Sequence, residues 1–270
     1  MSAAVPLRRR GAGWPAYLAA TRVSARHAWA TRGDAFGRTA FLGVLLFIFG
    51  RLWHSVAADG GTQDARAYLW YLAVTEWVLL SVPGVHLDVM ADVRSGDLAY
   101  RLSRPVSYVG TRVAEALGTL LVRLAILGPA SFAYAWIFSG GLPDDPRGLV
   151  LAVPLGLLAG TFGVLAQAGI GLTAVWIQDV SPVYWVWQKL AFVLGGLILP
   201  LSLYPDWLQT LAAWTPFSAF LNGPARVAFG WDPAGAALTA VTLLGWLLAT
   251  ALGTTWLHRR ALAVLDVNGG

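Results

Sequence analysis

From Gly148 to Ile177 the chain carries no charged side chain, and a run of that length decides which solvent it can fold in. About 20 consecutive apolar residues let a helix cross the hydrocarbon of a bilayer, where the backbone finds no water and must satisfy its own N–H and C=O groups. Six stretches qualify: Thr39 to Ala57, Ala67 to Leu87, Val106 to Phe138, Gly148 to Ile177, Val183 to Leu203 and Ala234 to Leu257. The composition agrees. Hydrophobic residues make up 57% of the 270, charged residues 12%, and mean hydropathy is +0.61, whereas soluble domains carry about a quarter charged residues. The 14 Trp fit the same reading, because indole favours the membrane interface, its ring in apolar surroundings and its N–H wet. The expected fold is an all-α polytopic membrane protein forming one transmembrane domain over residues 1–270, with an amphipathic helix in 1–38, spans in 39–257 and a tail in 258–270.

Two of the stretches exceed a simple crossing. Gly128-Pro129 is expected to break the third near its outer end, since proline removes a backbone donor and clashes with the preceding turn. In the fourth, Pro154 with Gly156, Gly160 and Gly163 permits a bend or the close approach of a neighbour. With the N-terminus inside, fourteen basic residues fall on the cytoplasmic side, while only Arg51, Arg66, Arg147 and Arg226 fall outside. That bias puts both termini in the cytoplasm. Arg flanking the spans accounts for the net charge of +5 without nucleic acid. Lys189 is the single lysine among the basic residues, a usage typical of GC-rich bacterial coding, so the expected location is a bacterial inner membrane. A cleaved leader is not expected, because Arg22 and Arg26 interrupt the apolar segment after Arg8 to Arg10.

Ahead of the first span, Trp14, Tyr17, Leu18, Thr21, Ala25, Ala28 and Trp29 recur at helical spacing, with Arg22 and Arg26 on another face. The pattern predicts an amphipathic helix in the cytoplasmic interface. Between spans five and six, Leu201 to Pro233 is too apolar for a solvated loop and too rich in Pro and Gly for one helix. Pro205 suits a first helical turn, Trp207, Leu208, Leu211 and Trp214 form a stripe, and Pro216 interrupts it. A second piece from Phe217 to about Leu221 is expected to end at Asn222-Gly223-Pro224. Both pieces are read as outer re-entrant elements, allowed where protein or a wet cavity covers them.

Chemistry is scarce. The only Lys follows an aromatic run instead of a glycine-rich phosphate loop, so the chain does not bind ATP in that way. Absence of Cys excludes disulfides and thiolate metal sites. His27, His54, His86 and His258 lie on separate segments without metal-ligand spacing, and no G-x-S-x-G motif occurs. Catalytic residues, metal ligands and bound cofactors are therefore not expected, and the chain is read as a non-enzyme. Glu76 and Arg123 are the charges placed well inside the spans. An unpaired charge there costs at least about 2 to 3 kcal/mol, so the two are expected to pair.

The run Arg94-Ser-Gly-Asp-Leu-Ala-Tyr-Arg-Leu-Ser-Arg-Pro105 resembles the cytoplasmic loop of ABC-2 type permeases, with its I-R-x-G-x-L-x-x-x-L-x-R-P pattern. Val93 stands where that family often has Ile. Gly195-Gly-Leu-Ile-Leu-Pro200, Tyr204-Pro205, Thr215-Pro-Phe217 and Gly223-Pro224 are similar to its fifth span and outer region, and Val267-Asn-Gly-Gly270 to its usual ending. The resemblance implies the membrane subunit of an ABC exporter, with a second permease copy or paralogue and two separate ATPase subunits that hold ATP and Mg²⁺. It also implies that Arg94, Gly96, Asp97, Leu98, Arg101, Leu102, Arg104 and Pro105 couple to the ATPase. In that loop Leu98 and Leu102 are four apart and can form an apolar knob, Arg101 and Arg104 project elsewhere, and Pro105 ends the helix. Pro205, Trp207, Leu211, Trp214, Pro216, Phe217 and Pro224 would form an outer gate. An ion-coupled carrier or channel using Glu76, and a sensory membrane subunit, are the alternatives; the apolar, aromatic spans point to a hydrophobic or amphipathic cargo such as a drug, an antibiotic or a lipid.

Overall fold

The structure, a computed structural model, describes residues 13–58, 65–98, 106–228 and 230–268. Arg8 to Arg10, the loop residues Arg101, Leu102, Arg104 and Pro105, and the terminal Gly269 and Gly270 lie outside the described residues. Every regular element among the described residues is a helix. In chain order these are α1 (Trp14–Ala30), α2 (Gly33–Ala58), α3 (Ala65–Ser81), α4 (Val85–Ser95), α5 (Tyr108–Ser139), α6 (Arg147–Leu172), the short α7 (Ala174–Ile177) and α8 (Ser181–Leu194). A 3₁₀ turn (Leu201–Leu203), α9 (Asp206–Ala213), a π-helical turn (Ser218–Asn222), α10 (Gly223–Val227) and the long α11 (Pro233–Asn268) complete the chain. Five helical stretches are long and apolar enough to cross a membrane: Gly33–Val56, Ala65–Ser95, Tyr108–Ser139, Arg147–Ile177 and Pro233–Val264.

Helix α3 is the axis of the bundle. Leu69 to Val74 are all buried, as a helix that is apolar on every side requires. Lipid tails are as apolar as these side chains, so close backbone approach and buried hydrogen bonds hold the helices together. Gly156 of α6 illustrates this: a Cβ there would fall 2.5 Å from the Trp77 ring, and one on Gly163 would fall 2.9 Å from Val82. The expected close approach is therefore made, and α6 runs unbroken through Pro154. The expected break at Gly128-Pro129 is not made, because α5 continues through Pro129 to Ser139. Contacts with α3 flank the proline: Trp77 Nε1 donates to Leu124 O at 3.0 Å, and Ser131 Oγ of α5 donates to Ala73 O at 2.7 Å, so that side-chain polar groups that lipid would leave bare are satisfied between the two helices.

The expected fifth span is shorter as a helix than its apolar run. Helix α8 has 14 residues, about 21 Å at 1.5 Å per residue against a core of about 30 Å. It stops at Gly195-Gly196, where Gly196 has φ +63° and a Cβ would crowd Tyr71 Oη at 2.9 Å. Only glycine takes that left-handed conformation at little cost. The irregular backbone that follows is satisfied from α3: Tyr71 Oη donates to Gly196 O at 2.5 Å, and Thr75 Oγ1 donates to Leu197 O at 2.7 Å.

Helix α1 forms as expected, and protein covers one side of it. Tyr17, Leu18, Thr21, Ser24, Ala25 and Ala28 are half-buried, and the helix runs parallel to the first half of α5. Thr21 Oγ1 donates to Ala114 O at 2.9 Å, Ser24 and Thr119 hydroxyls lie 3.1 Å apart, and a Cβ on Gly118 would collide with Thr21 O and Ala25 N. Trp14 and Trp29, at the two ends, stay exposed.

Candidate functional site

Two polar regions occupy opposite ends of this bundle. At the first, the residues between α4 and α5 are mounted on a buried ion pair. Asp92, 5% exposed, accepts from Tyr108 Oη at 2.6 Å and from Arg112 Nε and Nη2 at 2.8 and 2.5 Å. Arg112 also reaches Glu115 at 2.9 Å. His86 of α4 shares a 2.7 Å hydrogen bond with Gln167 of α6 and stacks on Tyr184 of α8 with ring centroids 3.7 Å apart. Arg94 Nε donates to Gln178 O at 3.0 Å and Nη2 lies 3.8 Å from Asp179. The backbone N–H of Ser181, where α8 starts, holds the Asp179 carboxyl below its usual range. Helix α4 is thus tied to α5, α6 and the start of α8 at once.

Of the residues implied to couple to an ATPase, Arg94, Gly96 and Asp97 are exposed at this end. Leu98 is a correction. At 2% exposure it belongs to the core, so it anchors the loop to the bundle and presents no apolar knob; its intended partner Leu102, with Arg101, Arg104 and Pro105, lies outside the described residues.

The expected pair of Glu76 with Arg123 is also corrected. Arg123 Nη2 donates to Asp34 Oδ2 at 2.7 Å and Nη1 to Val82 O at 3.3 Å. Arg38 joins the same group, its Nε 3.1 Å from Asp34 Oδ2 and its Nη1 3.4 Å from Leu80 O. The two arginines therefore serve the carbonyls that the end of α3 leaves without helical donors. The expected pairing compared the two spans by residue count alone. About four turns of α5 lie beside α1, which puts Arg123 level with the first turn of α2 and the last turn of α3. Glu76 lies about 9 Å back along α3 from Val82, buried at 4% exposure, and no ion pair among the described residues includes it.

At the other end a cavity of about 570 Å³ opens between the start of α3, Pro200 to Ser202, α9, the π turn, α10 and the start of α11. That volume lies within the range of small-molecule sites. Its polar lining is neutral except for Arg226: Tyr68, Tyr71, Gln209, Ser218 and Asn222 contribute from one side, Thr239 and Thr242 from α11. Tyr71 Oη lies 3.2 Å from Asn222 Oδ1, and Gln209 Nε2 donates to Tyr204 O at 2.8 Å. Beside this end Asp145 binds Arg147 through both carboxylate oxygens and accepts from Trp231 N; the Arg147 hydrogen bonds hold its carboxyl down at about 2.

The residues expected to form an outer gate divide. Phe217 and Pro224 are buried, with Phe217 against Trp187 at 6.1 Å between centroids, and Pro216 is half-buried. Pro205 stands just before the first residue of α9 with extended backbone instead of inside its first turn. Trp207, Leu211 and Trp214 face outward, Trp214 at 81% exposure. The second piece does not stop at Asn222-Gly223-Pro224. It continues to Val227, because the wider π turn lets Gly223 N reach Ser218 O and puts Pro224 in the first turn of α10, where its missing donor is harmless.

Sequence reading missed Asp92, Tyr108 and Arg112, although an acid and a base at the facing ends of consecutive spans are a signal for a pair. It also missed the cavity, whose trace is the i, i+3 spacing of Tyr68 with Tyr71 and of Thr239 with Thr242 on otherwise apolar helices. No protein-family model matches the chain, and a comparison with curated proteins finds no match.

Proposed function

We propose that this chain is the transmembrane permease subunit of an ATP-driven exporter of the ABC-2 type, moving a hydrophobic or amphipathic molecule out of the cytoplasm or the inner leaflet. In this reading two ATPase subunits dock on the loop around Arg94, Gly96 and Asp97, and a second permease copy or paralogue completes the path. The chain lies in a bacterial inner membrane with both termini cytoplasmic. Helix α8 and the irregular stretch after it make the fifth of six crossings, and Leu201 to Pro233 re-enters from the outer side.

The observation that carries the reading is the mounting of that loop. A push on the loop end of α4 reaches α5 through Asp92 and Arg112, α6 through His86 and Gln167, and α8 through Arg94. Ion pairs with several donors resist distortion, so the helices move with α4 as a unit. Closure of the ATPases would in this way change the far end, where the cavity lies.

Co-purification with an ATPase, followed by substrate-stimulated ATP hydrolysis in proteoliposomes, tests the reading. Thiol labelling sharpens it. Ser218→Cys, in the cavity lining, should react differently in nucleotide-free and ATP-trapped complexes, whereas Trp214→Cys should react in both. Equal labelling of Ser218→Cys in both states would remove the gating role. One observation favours a second reading: Glu76 is a buried acid without an ionic partner among the described residues, as an ion-coupled carrier would need. Transport driven by an ion gradient without ATPase, lost in Glu76→Gln, would support that reading instead.

A further inference from the structure

We infer that the cavity at the α10 end binds the anionic headgroup of a lipid, with the acyl chain lying along α11. This inference rests on the cavity alone and holds whatever drives the chain. Arg226 lines the cavity and is also exposed, so it stands at the opening. None of the ion pairs among the described residues involves it, and no acid lines the cavity. A guanidinium offers a planar fork of donors that matches a phosphate or carboxylate. The hydroxyls of Ser218, Thr239 and Thr242 can donate to the remaining oxygens. The one charged lining residue is a cation, which favours a headgroup with net negative charge over a zwitterionic one.

The apolar half of the ligand has its own seat. Leu238 lines the cavity and is 64% exposed, and from it Val241, Leu244, Leu248 and Leu252 continue as exposed side chains along α11. Leu238 to Leu252 covers about 21 Å at 1.5 Å per residue, a strip along which an extended acyl chain can lie. Leu238 belongs to both the polar cavity and the strip, so head and tail are offered to one molecule. A free phosphate would use the first feature only.

The test is a titration of the purified full chain, without ATPase, read by native mass spectrometry. The probes are phosphatidylglycerol, phosphatidylcholine with the same chains, and sn-glycerol 3-phosphate. Phosphatidylglycerol should bind tightest. Arg226→Gln should weaken it at least about tenfold, the scale of a charge-assisted hydrogen bond, and narrow its advantage over phosphatidylcholine. Arg226→Lys should lose less, and Arg259→Gln, on a distant turn of α11, should lose nothing. Equal binding of the two lipids by the unaltered chain, or unchanged phosphatidylglycerol binding in Arg226→Gln, would overturn the inference. Glycerol phosphate binding as tightly as the lipid would assign the site to a soluble anion and overturn the lipid assignment. Because no ATPase is present, none of these outcomes bears on whether the chain is an exporter subunit.

Discussion

The two ends of the bundle are built from different chemistry. At the loop end charges meet charges: Asp92 with Arg112, Asp34 with Arg38 and Arg123, Asp179 with Arg94. At the cavity end helices break off, and neutral donors serve the loose carbonyls, as Tyr71 does for Gly196 and Thr75 for Leu197. A buried ion pair has one good geometry and is costly to open. A neutral hydrogen bond contributes about 1 kcal/mol net and can exchange partners. The contrast assigns rigidity to the loop end around Asp92 and adaptability to the cavity end.

The largest effect is expected where that contrast is sharpest. Arg112→Met takes two charged donors from the Asp92 carboxylate, whose side chain is 7% exposed and which keeps the Tyr108 hydroxyl, and should destabilise the chain by about 2 kcal/mol in thermal unfolding in detergent. Adding Asp92→Leu should change stability by less than the sum of the two single losses, since the two residues act through the same contact. A single variant as stable as the parent would show that the pair does not brace the loop. Next comes the seat of α1. Gly118→Val drives a side chain into the α1 backbone and should cost about 2 kcal/mol. With no native cysteine, a disulfide between Thr21→Cys and Ala114→Cys reports the seating directly; it should form in the parent and fail when Gly118→Val is added.

Smaller losses belong to the cavity end. Thr75→Val leaves Leu197 O without its donor, and Tyr71→Phe does the same to Gly196 O, each costing about 1 kcal/mol or slightly more. The informative readout is local. Hydrogen exchange between 195 and 203 should quicken in both variants while α5 stays protected. Uniform quickening would mean that the broken segment opens only with the whole bundle.

The sequence foretold the helical class, the amphipathic α1 and the glycine contacts of α6, because each leaves a periodic or compositional trace in a single helix. Its failures have a common physical origin. Pro129 reads as a break, yet α5 runs on through it, packed against α3 by Trp77 and Ser131 in contacts that no local pattern encodes. The end of α8 depends on Gly196 meeting Tyr71, far away in sequence. Leu98 looks like an exposed knob because its spacing to Leu102 shows a face but not what covers it. For the cavity, only the paired hydroxyl positions on α3 and α11 were visible; their convergence with Ser218, Asn222 and Arg226 is a property of the fold.

The smallest expected effect tests the same lesson at Arg123. Its partner Asp34 has a side chain 56% exposed, and an ion pair so open to solvent contributes about 1 kcal/mol or less. Arg123→Gln removes that pair and the bond to Val82 O, so a modest loss is expected, larger than that of Asp34→Asn, which leaves the carbonyl contact in place. The exchange Asp34→Arg with Arg123→Asp rebuilds the ion pair and should be more stable than either reversal alone, though below the parent, because aspartate cannot donate to Val82 O. The exchange Glu76→Arg with Arg123→Glu should give no such recovery, since Glu76 is about 9 Å back along α3 and its replacement would bury a guanidinium in the centre of the bundle. Recovery by the Glu76 exchange and none by the Asp34 exchange would move Arg123 from the end of α3 to its middle. The account of Arg123 as a donor to the carbonyls at the end of α3 would fail with it.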